Sequence, residues 1–169
     1  MINTWYDASN KGDPASKGRA ISGHIVYIGN SPIEWRSNLN SHCGTSAQHN
    51  EYQGMAAATK STNWIRLLTY DMGFRSWSAK PSPLMGDNNA CITLARDDIL
   101  THGNRFYTPD LHYNKESIEQ GRTCARKVGT EMNVSDMMTK MTATSTFLSH
   151  VNMVTGYMDL PEIPPPPHR

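Results

Sequence analysis

Three short β-type runs and the long helical pattern that follows them most constrain the fold of this chain. The runs cover residues 3–8, 23–29 and 33–37, and turns containing glycine or proline separate them. Because the turn at residues 30–32 is tight, we expect the third strand to lie antiparallel to the second. From residue 48 to 68, apolar side chains recur mostly at three- and four-residue steps, which predicts a helix.

The second half of the chain alternates between strand-like and helical segments. We predict strands at 84–87 and 123–128, helices at 88–97 and 110–120, a loop at 101–109 and a further helix from about Asn133. Strands and helices in this succession predict an α/β fold, with a mixed central sheet flanked by helices.

The length suits one domain, and the composition argues against a zinc-binding, disulfide-stabilised, secreted or membrane protein. We expect a domain over residues 1–158 and an exposed, proline-rich tail over 159–169. The three cysteines are far apart, so a zinc site or a disulfide framework is not expected. With no basic patch leading into an apolar stretch, and no run of about 18 apolar residues, we expect an intracellular protein that is neither secreted nor bound to a membrane.

Four acidic residues stand at the ends or starts of the predicted elements. Asp7 follows the first strand, Glu51 lies in the long helix, Asp87 ends a later strand, and Asp136 opens the last helix. A fold that gathered them would form an oxygen-lined pocket for two hard divalent cations, which suits phosphodiester cleavage. The net charge of +1 by itself argues against a nucleic-acid binder, but an acidic cluster that binds metal would account for it.

Four stretches of the sequence, in order, match one known family. They are Asp7-Ala8 with 12–14, 22–23 and 32–37; Glu51-Tyr52 with 57–60 and 64–66; Asp87-Asn88 with Ala90 and Ala95; and 133–140. Together they resemble the ribonuclease H domain of copia-type LTR retrotransposon polyproteins, over about residues 5–140. The resemblance implies a ribonuclease H-like sheet of three antiparallel strands followed by parallel strands.

The resemblance also implies an activity. It makes Asp7, Glu51, Asp87 and Asp136 the metal-binding and catalytic quartet, with two Mg²⁺ ions, or Mn²⁺ in their place, on either side of the scissile phosphate. The implied function is hydrolysis of the RNA strand of RNA–DNA hybrids during reverse transcription. The implied partners are the hybrid and a reverse transcriptase domain of the same polyprotein, in the cytoplasm, a retrotransposon particle or the nucleus.

Each candidate residue also has a structural interpretation. Asp87 could cap the following helix, Asp136 could lie at a helix start next to Ser135 as N-cap, and Glu51 and Asp7 could be ordinary surface or strand-end acids. Four further residues are candidates for nucleic-acid contact, or alternatively for turn and cap chemistry. They are Ser46, Gln48, Asn88 and Asn89.

Departures from the family pattern keep a second function open. Ser9-Asn10 follows Asp7 where the family has an acidic residue and tryptophan, and residues 48–50 replace a more typical Thr-Glu-Ala before Glu51. The alternative is therefore a degenerate or domesticated module that binds nucleic acid or protein without cleaving. A nuclease directed at DNA is a third possibility. Because Met1 lies so close to Asp7, we expect a piece of a longer polyprotein or a truncated gene product.

Overall fold

A computed structural model describes residues 1–9, 17–96 and 108–165 of the chain. The predicted turn at 11–14, most of the predicted loop at 101–109 and the last residues of the tail lie outside these ranges. The strands are β1 Ile2–Ala8, β2 Ile21–Ile28, β3 Ser31–Leu39, β4 Ser82–Gly86 and β5 Thr123–Lys127. The α-helices are α1 Ala47–Asp71, α2 Asn89–Arg96, α3 Thr108–Glu119 and α4 Thr144–Val154, and three short 3₁₀ turns are Arg75–Ser78, Thr130–Met132 and Val134–Met138.

The five strands form one mixed sheet in the order β3-β2-β1-β4-β5. β1 to β3 pair antiparallel, whereas β1 with β4 and β4 with β5 pair parallel. The predicted fold class is thereby confirmed. Since β1, β4 and β5 run in the same direction, their carboxyl ends meet at one edge of the sheet.

Helix α1 packs across one face of the sheet. Its inward side buries Tyr52, Met55 and Ala58, which join Tyr6 and Leu84 in the main apolar cluster. On the opposite face, Trp5, Ile25 and Met85 form a second cluster with Val134 and Met153. The sheet therefore has apolar cores on both sides, and this double packing fixes the positions of the strand ends.

The chain after β5 differs from the predicted helix. Residues Val134–Met138 form a short 3₁₀ turn, and its N-cap is Asn133, whose side chain accepts a hydrogen bond from the Ser135 amide. The interpretation of Ser135 as the N-cap is thus wrong. Helix α3 begins at Thr108, earlier than predicted, because Pro109 suits the first turn of a helix, where no amide hydrogen is needed.

The described start of the tail lies against the domain. Leu160 and Ile163 are half-buried and pack on the cluster that contains Trp5. The expectation of an exposed tail is therefore wrong for these residues, because apolar side chains between the prolines gain by covering the core. Among the described residues, no helix combines the length and apolar character that crossing a membrane requires.

Candidate active site

Three of the four predicted acids meet at the carboxyl ends of β1 and β4. Asp7 is the second-last residue of β1, Asp87 directly follows β4, and Asp136 lies in the Val134–Met138 turn. Each offers one carboxylate oxygen, and these oxygens all lie within 4.8 Å of one another. The topology explains the meeting, since parallel neighbours β1 and β4 end side by side.

Glu51 lies beside this set rather than within it. It sits in the first turns of α1, and Gly54 on the same helix allows close packing, since a Cβ there would lie 3.1 Å from the Asp7 carbonyl oxygen. The charges of Asp7 and Asp87 both raise the pKa of Glu51. The helix therefore brings a fourth carboxyl group into the electrostatic field of the other three.

Burial and mutual repulsion raise the pKa values of three carboxyl groups at the site, those of Glu51, Asp136 and Asp7. Burial is the largest cause for each, and neighbouring carboxylates add to it. These effects raise the pKa of Glu51 to about 9, that of Asp136 to about 6, and that of Asp7 above its ordinary value. Such mutual repulsion at one edge of a sheet is the electrostatic situation that a bound cation relieves.

Two buried carboxylate oxygens at the site accept no hydrogen bond from the described residues: Oε2 of Glu51 and Oδ1 of Asp136. Buried carboxylate oxygens normally have partners, because an unpaired one costs free energy. Hard oxygen ligands of this kind, arranged within a few ångströms, are those that Mg²⁺ and Mn²⁺ take. The donor set therefore fits a divalent metal.

A lysine and a threonine contact two further carboxylate oxygens of the site. Lys140 Nζ lies 2.9 Å from Oδ2 of Asp136 and 3.6 Å from Oδ2 of Asp7, and the Thr139 hydroxyl donates to the same Asp7 oxygen. The ammonium of Lys127 donates to the backbone carbonyl of Asp87. Positive charge thus reaches the acids from the turn and from β5.

Buried contacts hold the Val134–Met138 turn against the sheet. The Asn133 side-chain amide donates to the Tyr6 carbonyl at 3.0 Å, and its oxygen accepts from the Ser135 hydroxyl at 2.6 Å. Gly23, paired with Asp7 across β1 and β2, leaves room for the turn, since a Cβ there would lie 2.6 Å from Met138 Cβ. These contacts determine where Asp136 stands relative to Asp7.

Relatives of this chain are retrotransposon polyproteins, although no family model matches it. It is 23% identical to the retrovirus-related Pol polyprotein from transposon RE1 of Arabidopsis thaliana over 153 residues, and this match covers 90% of the chain. It is 20% identical over 147 residues, or 87% of its length, to the corresponding polyprotein from transposon TNT 1-94 of Nicotiana tabacum. The chain spans only 10% and 11% of these two relatives.

Solved structures give the fold. LC11-RNase H1, isolated from compost, superposes with a TM-score of 0.60 at 13% identity, covering 82% of this chain and 92% of that one. The protease–reverse transcriptase of prototype foamy virus superposes with a TM-score of 0.52 at 13% identity, covering 92% of this chain and 20% of that one. The chain has a ribonuclease H fold and is related to retrotransposon Pol polyproteins. The resemblance read from the sequence is confirmed.

The candidate nucleic-acid residues lie at the start of α1 and directly after Asp87 in this ribonuclease H fold, and most have structural contacts. The Ser46 hydroxyl accepts from the His49 amide and caps α1, and the Asn88 side chain accepts from the Cys91 amide at 3.0 Å. Gln48 donates to the Ala90 carbonyl at 3.4 Å, and Asn89 is exposed at the start of α2. Capping accounts for Ser46 and Asn88, and nucleic-acid contact by all four stays a prediction.

Two neighbours of the acids in this ribonuclease H fold were not predicted as site residues. Lys140 and Thr139 belong to the stretch that carries the family resemblance, but sequence reasoning gave neither a role. The spacing offered a signal for Lys140, since it stands four residues after Asp136, the separation at which opposite charges meet on a helical turn. No comparable local signal points to Lys127, because the strand pairing of β4 with β5 brings it to Asp87.

Proposed function

We propose that this chain is a divalent-metal-dependent endoribonuclease that hydrolyses the RNA strand of RNA–DNA hybrids. The observation that carries the proposal is the convergence of Asp7, Asp87 and Asp136, with Glu51 beside them, where two buried carboxylate oxygens have no hydrogen-bond partner among the described residues. Unpaired oxygens at the end of a rigid sheet favour a metal centre over a cluster of ordinary structural acids.

Asp7, Glu51, Asp87 and Asp136 would hold and orient the cations. Two Mg²⁺ ions bound there would supply Lewis acidity, activating a water for attack and stabilising the departing 3′ oxygen. Asp7 and Asp136 are fixed by the buried contacts of the Val134–Met138 turn, while Glu51 is fixed by close packing of Gly54 on β1. Because rigid elements carry the carboxylates, the scissile phosphate would meet a preorganised site.

Two kinds of observation support the RNA–DNA hybrid as the proposed substrate. A structure of LC11-RNase H1 in complex with an RNA/DNA hybrid superposes on this chain with a TM-score of 0.58 at 12% identity, covering 82% of this chain and 94% of that one. Around the acids, the amide-rich start of α1 and the side chains of Asn88 and Asn89 offer donors for phosphates and 2′-hydroxyls. Ser46 and Gln48 would act at the α1 end.

A reverse transcriptase domain of the same polyprotein is the proposed neighbour. Its support is that the relatives are Pol polyproteins about ten times longer than the matched region, and that a foamy virus protease–reverse transcriptase contains the fold. In such an assembly the ribonuclease would remove the RNA template after it has been copied.

Cleavage of a labelled hybrid tests the proposal. Wild-type protein should cut the RNA strand in the presence of Mg²⁺ or Mn²⁺ and leave duplex DNA intact. Asp87→Asn should reduce the rate by more than about 100-fold, because even outer-shell changes at metal sites cost about 10- to 100-fold. Asp110→Asn is the matched control, since Asp110 pairs with Lys60 and does not belong to the acid cluster, so its loss should leave the rate unchanged.

The same assay separates the second candidate function. A wild-type protein that binds the hybrid in a mobility-shift assay but leaves it intact at every metal concentration would support the non-cleaving module. Cutting of duplex DNA at a comparable rate would instead favour the DNA-directed nuclease.

A further inference from the structure

We propose that Lys140 is a positioning residue that competes with a divalent ion for the Asp7–Asp136 side of the site. In the absence of metal its ammonium would hold these two carboxylates together, and metal binding would displace it. This inference rests on the proposed function, because it supposes that the acids bind a metal.

The contacts of Lys140 place its charge on the oxygens that a metal would use. Nζ lies 2.9 Å from Oδ2 of Asp136 and 3.6 Å from Oδ2 of Asp7. An Mg²⁺ ion bonds to carboxylate oxygens at about 2.0–2.1 Å, so an ion held by the same two oxygens would lie within a few ångströms of Nζ. Two cations so close repel each other, so the Lys140 ammonium and the metal ion cannot both bind these oxygens without weakening each other's binding.

Burial shows which partner of the contact can move. The Lys140 side chain is 39% exposed, whereas those of Asp7 and Asp136 are only 1% and 6% exposed. The carboxylates are held by the packed strand and turn, while the lysine stem has open solvent on one side. Displacement would therefore move the ammonium outward and leave both carboxylates in place.

The backbone keeps the displaced lysine near the site. The Lys140 amide donates to the Asp136 carbonyl at 3.1 Å, which fixes the stem one turn from that acid. A flexible four-carbon stem anchored there can carry its charge to a phosphate oxygen beside the acids. Lys140 thus offsets the negative charge of the two carboxylates before a metal binds, and its ammonium can contact the substrate afterwards.

Lys127 provides a matched comparison within the same site. Its ammonium donates to the backbone carbonyl of Asp87, a group that it can engage without occupying a carboxylate oxygen. Lys127→Met and Lys140→Met remove the same charge from the same neighbourhood. The difference between them isolates direct competition for carboxylate oxygens from the general effect of a nearby positive charge.

Calorimetric titration of the folded protein with Mn²⁺ tests the inference without measuring cleavage. Lys140→Met should bind Mn²⁺ about fivefold more tightly than wild type, the fold-change expected when an ion pair of this exposure is removed. Lys127→Met should change the affinity by less than half as much on a logarithmic scale. Lys140→Gln serves as a second variant if the methionine protein does not fold, and Lys140→Arg, which keeps the charge, should bind as wild type does.

The outcomes separate this inference from the proposed function. Equal or weaker Mn²⁺ binding by Lys140→Met, with binding by wild type intact, would overturn the role of Lys140 alone. An increase of the same size in Lys127→Met would overturn it too, because direct competition would then add nothing. If neither wild type nor the Lys140 variants bind Mn²⁺, the metal site and this inference both fail.

Discussion

Two glutamates, one within α1 and one on β3 in contact with α1, differ in how their oxygens are hydrogen-bonded. Glu34 on β3 accepts from Arg36 Nε at 3.0 Å and from the Ser61 hydroxyl at 3.2 Å, and its second oxygen lies 3.1 Å from His24 Nε2. Burial alone would raise the pKa of Glu34, but the hydrogen bonds and charges of these partners bring the pKa below its ordinary value. Glu51 has an oxygen with no partner among the described residues, and burial with neighbouring acids raises its pKa to about 9.

The difference separates an acid whose oxygens are used within the protein from one that we propose to bind a metal. The oxygens of Glu34 are used within the protein, where they join β2, β3 and α1 around a groove of about 670 Å³. Glu51 keeps acceptor capacity that only a ligand outside the described residues can use. A carboxylate count along the sequence treats the two alike, whereas their partners distinguish them.

After substitution of the acids themselves, the largest effect should come from changing the packing that positions the proposed metal-binding acids. In Gly23→Ala the new Cβ would lie 2.6 Å from Met138 Cβ and 2.8 Å from Thr139 Cγ2, so the turn that carries Asp136 must shift. We expect hybrid cleavage to fall by about 10- to 100-fold, because an ångström of misplacement can cost that much, and stability to fall by about 1–3 kcal/mol. Cleavage assays and urea unfolding measure the two effects.

A second glycine gives the control for that substitution. A Cβ at Gly129 would meet only Met132 Cγ, at an ordinary 3.9 Å, so Gly129→Ala should leave both quantities nearly unchanged. Cleavage at the wild-type rate by Gly23→Ala would show that the position of the turn does not matter for the site.

Much of the fold could be predicted from the sequence, since strands and α1 follow from apolar periodicity and turn residues. The edge of the sheet where Asp7 and Asp87 meet follows from β1 and β4 being parallel, which the resemblance implied. The turn at Asp136 could not be predicted in the same way. Its shape depends on a buried hydrogen bond from the Asn133 side chain to the Tyr6 carbonyl, and these residues lie 127 positions apart in the sequence. The role of Gly23 is also tertiary, since it depends on what packs against the strand.

A smaller effect is expected for Glu34. Glu34→Gln weakens the ionic hydrogen bonds with His24 and Arg36, and we expect unfolding free energy to fall by about 1–2 kcal/mol. Cleavage by the folded protein should not change, since Glu34 lies outside the acid cluster. Calorimetric melting and cleavage rates measure the two, and a variant that lost activity while keeping its stability would reverse the assignment of Glu34.

A further effect concerns the pH dependence of stability, to which the two glutamates should contribute with opposite signs. Because the pKa of Glu34 is lowered on folding, its contribution to stability is present above about 4.5 and is lost as pH falls through its folded value. Because the pKa of Glu51 is raised, its contribution in metal-free protein is present below about 4.5 and is lost as pH rises toward about 9.

Urea unfolding in a metal chelator across this pH range measures both signs. Glu34→Gln should flatten the acid side of the stability profile, and Glu51→Gln should flatten the alkaline side. The distinction between the two acids would be contradicted if both variants changed the dependence of stability on pH in the same pH range.

Mn²⁺ titration of folded wild type, Glu51→Gln and Glu34→Gln tests the proposed metal centre without measuring cleavage. We expect saturable binding by wild type, affinity retained in Glu34→Gln, and affinity at least about tenfold weaker in Glu51→Gln. Unchanged binding by Glu51→Gln, or no binding by wild type, would contradict the proposal that Asp7, Glu51, Asp87 and Asp136 form a metal centre.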